Sequence, residues 1–211
     1  MKFTKEELLK QNTLLIESEI NHMDVENLST ILSRDSDNAT IILSNITEGN
    51  FSDAVKMKNV LFNTNRRINI VCDGIINLTG IVPLISAKSI LCAAKENTTF
   101  VIDTNHYFDS YLIPEERNEA MSFLKKLFIK YSNLHEIELF YILNQKNTMN
   151  VETAYKYGFI NDIYRSKTIG NIYNLNSIQK FKKDSAITFE RGIRENLKSS
   201  AVNSLIKVSD N

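Results

Sequence analysis

Cysteine, histidine, net charge and long apolar runs are all scarce in this chain, and each scarcity removes a class of function. The two cysteines in 211 residues, Cys72 and Cys92, are too few for a disulfide framework. Both lie in apolar contexts, where a buried free thiol is the ordinary state. Three histidines without spaced cysteine or carboxylate partners make no metal signature. Neither common glycine-rich phosphate loop is present, and no cofactor is expected. Lys and Arg number 25, as do Asp and Glu, so the formal charge is zero. That balance gives no general pull toward nucleic acid. The longest apolar run, Leu78 to Ile85, is broken by Thr79, Gly80 and Pro83, far short of a membrane span. The N-terminal MKFTKEELLKQNTLL carries Glu6 and Glu7 and lacks the apolar stretch of a secretory signal. A cytoplasmic protein without nucleic-acid or membrane partners is the expectation.

What is present is the material of a core. Hydrophobic residues make up 43% of the chain, which excludes global disorder. The length suits one domain, or one domain with an appendage. Residues 1–12 read as a short polar helix or an arm, and Leu14 to Ile16 as a first strand. Asp24 to Ser33 has Val25, Leu28, Ile31 and Leu32 at helical spacing, with Asp24 as its N-cap. Thr40 to Leu43 is a strand, Ser52 to Asn63 a helix, and Ile68 to Cys72 a buried strand. Thr79 to Ala94 reads as one helix, apolar nearly all round and therefore central. Thr99 to Ile102 is the next strand. Pro114 to Tyr131 is an amphipathic helix with Pro at its first position and Glu115 and Glu116 in its first turn. A last strand is expected over 159–163. This alternation predicts an α/β fold of repeated crossover units.

From Arg165 to Asn211 the chain turns polar, with a basic cluster over Lys180–Lys183 and apolar positions from Ile187 to Ile206 that suit one or two short amphipathic helices. Residues 1–164 are therefore expected to form one domain and 165–211 a C-terminal extension. That extension either packs on its own domain, docks a partner or stays disordered.

Several segments resemble the Clp-type serine peptidases, within the wider crotonase-like superfamily. Ile68 to Asp103, INIVCDGIINLTGIVPLISAKSILCAAKENTTFVID, resembles the family's central segment. Leu15 to Val25 is similar to its first strand and turn, and Ile41 to Gly49 to the strand ending in I-N-S-P-G-G. Met149 to Asn161, MNVETAYKYGFIN, resembles M-S-A-x-E-A-x-x-Y-G-L-I-D, a motif that crotonase-type hydratases share. Together these motifs span about residues 14–164. The resemblance implies a crotonase/Clp-peptidase-like spiral of strand–helix units with a long handle helix over 114–131, in a segment a few residues shorter than the family's.

The catalytic letters differ. The family's G-x-A-A-S-x-G turn reads Gly74 to Gly80 here, which puts Leu78 at the nucleophile. Asp103 takes the catalytic His position and Lys146 the Asp position, and a remnant Asp103–Lys146 ion pair is expected. The Gly-Gly of the oxyanion loop reads Glu48-Gly49, and a carboxylate beside a developing oxyanion opposes it. Acyl transfer needs a nucleophile, a base, an orienting acid and an oxyanion hole. The relocated candidates are Thr79, as a hydroxyl, and His106, as a base. A Ser-Lys dyad would use Lys126 or Lys130, but it lacks the serine. His22 and His135 fall in polar segments.

Three functions follow from the resemblance. The first is a non-catalytic homologue that forms homo-oligomers, or joins an active Clp peptidase subunit or a AAA+ unfoldase. The second is an enzyme of the same superfamily, a peptidase or crotonase-like acyl-group enzyme, with relocated residues. The third is a module that grips an extended peptide by strand addition. The apolar stripe Ala120, Met121, Phe123, Leu124, Leu127 and Phe128 on the long helix is the reason to expect an oligomer.

Overall fold

The chain begins its regular structure where a side chain can close a helix start. In the computed structural model, which describes residues 4–34, 38–85, 90–111 and 113–164, Thr4 caps α1 (Lys5–Lys10) reciprocally with Glu7. Four strands then run parallel, each to the next: β1 (Thr13–Ile20), β2 (Asn38–Gly49), β3 (Arg67–Ile76) and β4 (Ile90–Lys95). They are joined by α2 (His22–Ser33), α3 (Phe51–Phe62) and α4 (Leu78–Leu84). Parallel neighbours need such crossovers, because a tight turn only reverses the chain. After β5 (Thr99–Ile102) come α5 (Thr104–Tyr111), α6 (Pro114–Tyr131), α7 (Glu136–Asn144), β6 (Asn147–Met149), α8 (Val151–Lys156) and β7 (Asp162–Tyr164). The described strands form one sheet in the order β1-β2-β3-β4-β7, with β5 off that path between β3 and β6.

A line of backbone irregularities bends this sheet and creates the site. The β1–β2 register shifts between Glu17 and Glu19, around Ser18 at φ +70°. The β2–β3 register shifts between Ser44 and Ile46, around Asn45 at φ +51°. On β3 the same level is Gly74, at φ +76°. Only glycine fits there, since a Cβ would collide with Asn45 Oδ1, and that oxygen accepts from the Ile75 amide at 3.2 Å. Bulges re-aim strands. Below the bend β3 pairs with β4 through Ile68 to Cys72, and above it with β5 through Ile75 and Ile76. The upper ends of β2, β3 and β5 therefore diverge from the main sheet and surround the start of α4.

The core lies between the sheet and its helices, and Ile16, Leu28, Ile41, Leu43, Met57 and Ile70 are all buried in it. Three expectations need correction. The apolar stretch 79–94 is not one helix but α4 followed by β4. Pro83, without an N–H, sits one residue from the end of α4, and Leu91 to Ala94 are buried on both faces, so the strand shows no alternation to betray it. The cap of α2 is Asn21 rather than Asp24, which serves three residues on as its reciprocal partner. The last strand starts at Asp162, because Gly158 at φ +76° closes α8 with a left-handed turn and Phe159 and Ile160 enter the core. Asn161 then straps β4, its main chain and its side chain each 2.7 Å from the Cys92 backbone.

The stripe on α6 is also reassigned. Ala120, Leu124, Leu127 and Phe128 are buried within the chain itself, and Phe128 stacks edge-on against Phe159 at 5.4 Å. Met121 and Phe123 are partly buried against the same core. Burial of Leu124 and Phe128 contributes about 1.5–3 kcal/mol each, so this face needs no partner. No helix among the described residues is long and apolar enough to cross a membrane. The extension 165–211 lies outside the described residues.

Candidate functional site

Every helix N-terminus exposes backbone N–H groups that need an acceptor, and α4 supplies them where β3 ends. Asn77, the cap of α4, takes them itself. Its Oδ1 accepts from the Thr79 amide at 3.1 Å, the Gly80 amide at 3.3 Å and the Thr79 hydroxyl at 2.8 Å. The Thr79 hydroxyl also lies 3.0 Å from the Glu48 carbonyl oxygen, as a second acceptor, and Asn77 Nδ2 donates to that oxygen at 3.4 Å. The Glu48 carbonyl thus faces the start of α4 from the end of β2. Gly49 holds φ +130° because a Cβ would press to 3.0 Å against both the Ile20 amide and the Thr79 hydroxyl.

Leu78, first residue of α4, is fully buried in the core cluster. Thr79 is equally sealed, at 0% exposure. Neither lines either of the two cavities beside it. Asp103 instead lines a small one, about 210 Å³, together with Thr47, Ile75, Asn77, Val101, His106 and Lys146. One oxygen of Asp103 accepts from the His106 amide at 3.0 Å, capping the start of α5. The other lies 3.8 Å from Lys146 Nζ, so the expected ion pair is present. The Lys146 side chain is 70% exposed, which leaves the pair little energetic weight.

The residues singled out in the sequence therefore separate into three places. Asp103, His106 and Lys146 meet at the small cavity. Leu78 and Thr79 are inside the core. Glu48 and Gly49 line a different, larger cleft of about 700 Å³, between the β1–β2 ends and α6. Lys126 and Lys130 lie on the exposed face of α6. His22 pairs with Glu26 at 3.1 Å, and the His135 amide donates to Glu138 at the start of α7. Among the described residues no group of three or more His, Cys, Asp and Glu side chains converges to hold a metal ion.

Asn77 is the site residue that sequence reasoning missed. A capping residue directly before an apolar helix is a readable signal, but the apolar stretch by itself places the helix start at Thr79, two residues later. The lining of the larger cleft comes from β1, β2, α3, α5 and α6, and no local pattern joins them. Burial pushes the Cys72 thiol well above its ordinary range, with neighbouring Cys92 adding to the effect, so Cys72 offers no thiolate to chemistry.

The fold matches solved structures of Clp proteases. ClpP1 from Listeria monocytogenes is 17% identical, with a TM-score of 0.63 over 77% of this chain and 96% of that one. The catalytic domain of the ClpP protease from Plasmodium falciparum is 15% identical, with a TM-score of 0.65 over 82% of this chain and 98% of that one. No protein-family model and no curated protein matches the chain. Likeness at these identities is a likeness of fold, and the chain has the mixed α/β, Clp-protease-like fold.

Proposed function

We propose that this protein is a non-catalytic relative of the Clp-type peptidases, a cytoplasmic scaffold that works by binding and assembly. The carrying observation is the hydrogen-bonding of Asn77. The first amides of α4, at Thr79 and Gly80, are spent on its side chain rather than offered to a substrate oxygen. Two further observations support the reading. Leu78 has no nucleophilic atom and is buried, and Asp103 is engaged as the cap of α5 and the partner of Lys146. The alternative of relocated chemistry rests on Thr79 and His106. It is the weaker reading, because the Thr79 hydroxyl is sealed from substrate and held by two acceptors.

In this reading residues 1–164 form the assembling domain and 165–211 a C-terminal extension. The chain forms homo-oligomers or enters rings of an active Clp peptidase subunit, on which a AAA+ unfoldase acts. Native mass spectrometry of the full chain, alone and mixed with the active Clp peptidase of the same cell, tests it. Homo-oligomers or mixed rings are expected, with no peptide hydrolysis by the chain alone. A strict monomer that joins no ring, or hydrolysis by the isolated chain, contradicts the proposal.

A further inference from the structure

The 700 Å³ cleft has a composition that the scaffold reading leaves unexplained. Its floor is aromatic: Phe51 packs edge-on against Phe108 at 5.7 Å and against Phe123 at 6.1 Å. Its rim is acidic. Glu19 and Glu48 are exposed and directly paired across β1 and β2. Glu116 and Glu119 stand three residues apart on α6 and line the same cleft. No lysine or arginine is among the lining residues, and the cation nearest the floor is Lys58, whose Nζ lies 5.8 Å from the centre of the Phe123 ring.

Within each pair the like charges repel, although Glu116 is also held at the start of α6, where its carboxylate accepts from the Ile113 amide at 3.2 Å. Like charges directly opposite on neighbouring strands are destabilising, and so are like charges one turn apart on a helix. Two such pairs on separate elements converge on one cavity of ligand size. The arrangement gains from a cation placed between them, and an aromatic floor suits a cation that carries an aliphatic stem. Among the described residues no three carboxylates gather to hold a metal ion, and the aromatic floor favours an organic cation. β1, which carries Glu19, stands at the end of the strand order, and no described strand pairs with its outer edge. That edge offers main-chain hydrogen bonds to an extended chain.

We propose that this cleft binds a lysine or arginine side chain of an extended peptide segment, its stem on the three phenylalanines and its charge among Glu19, Glu48, Glu116 and Glu119. The inference builds on the reading of a scaffold that binds without cutting, and its test separates the two. Fluorescence anisotropy of the full chain is measured with a labelled, unstructured decapeptide carrying one lysine, and with its norleucine and glutamate counterparts. The lysine peptide is expected to bind best, and more weakly as salt is raised. Glu19→Gln and Glu119→Gln are each expected to weaken binding about two- to fivefold. Glu19→Gln is also expected to raise the Tm of the free protein, because it removes a repulsion; a merely structural role would lower it. Equal binding of the three peptides, or unchanged affinity in both variants, overturns the inference. So does tighter binding of spermidine than of the lysine peptide, which would assign the cleft to a free polyamine. The mass of the recovered peptide reports on the scaffold reading alone: an intact peptide is expected, and a cleaved one contradicts that reading while leaving the binding result standing.

Discussion

Asn77 fixes the start of α4: its Oδ1 accepts from the Thr79 and Gly80 amides, so neither amide is left for another acceptor. Asn77→Ala is expected to lower stability by about 0.5–2 kcal/mol, the usual cost of losing an N-cap, as read by urea denaturation. Leu78→Ser is expected to cost about 2–5 kcal/mol, as a large core side chain is cut down, and to yield no hydrolysis of a fluorogenic peptide. Asp103 separates cap from base in a similar way. Asp103→Asn keeps an acceptor for the His106 amide and should stay within about 0.5 kcal/mol of wild type, whereas Asp103→Ala should lose the cap. Positions 78, 103 and 146 were singled out in the sequence through the flanking motifs that resemble the family's. Their physical employment was not legible there: burial of Leu78 and Thr79 depends on α4 packing against strands far away in sequence. Asp24 gives a pH dependence of its own. Burial raises its carboxyl above the ordinary 3.8, against the opposing pull of the Asn21 amide. The folded state then holds a proton that the unfolded chain releases, so Asp24 favours folding at low pH and that contribution is lost as pH rises above 3.8 through the raised value. Asp24→Asn should flatten the urea midpoint across that window; an unaltered slope would count against the burial effect.

At the scale of elements, the bend through Ser18, Asn45 and Gly74 decides where the site lies. Gly74→Ala places a Cβ against Asn45 Oδ1 at a positive φ. It is expected to destabilise by more than 1 kcal/mol, on the order of 1–3, with a lower Tm by calorimetry. A neutral Gly74→Ala would mean that the bend is not constrained there. The helices and strands with one solvated face were readable from periodicity: α2, α3 and α6 fall within a few residues of expectation. What was illegible were elements without contrast. β4 is buried on both faces, β6 has three residues, and the polar sequence of α5 hides its cap, Asp103. The 12-residue β2 was underestimated because Ala39 to Ser44 are all buried and show no alternation, and the register shifts at Asn45.

For the whole molecule, the burial of the α6 stripe moves the search for an assembly surface elsewhere. Ile137, Phe140 and Tyr141 lie at the i, i+3 and i+4 positions of α7 and are 74%, 58% and 57% exposed, a spacing that gathers them on one face. Phe140→Asp is expected to lower the native mass of any homo-oligomer, while the exposed Lys126→Ala leaves it unchanged. Unaltered mass in Phe140→Asp would remove α7 from the interface. The central claim is the absence of an activated nucleophile, and its most direct measurement is the intact mass of the full chain after incubation with a fluorophosphonate probe. An unmodified mass is expected under conditions that fully label an active Clp peptidase. A stoichiometric adduct, at Thr79 or at any other hydroxyl, would contradict it.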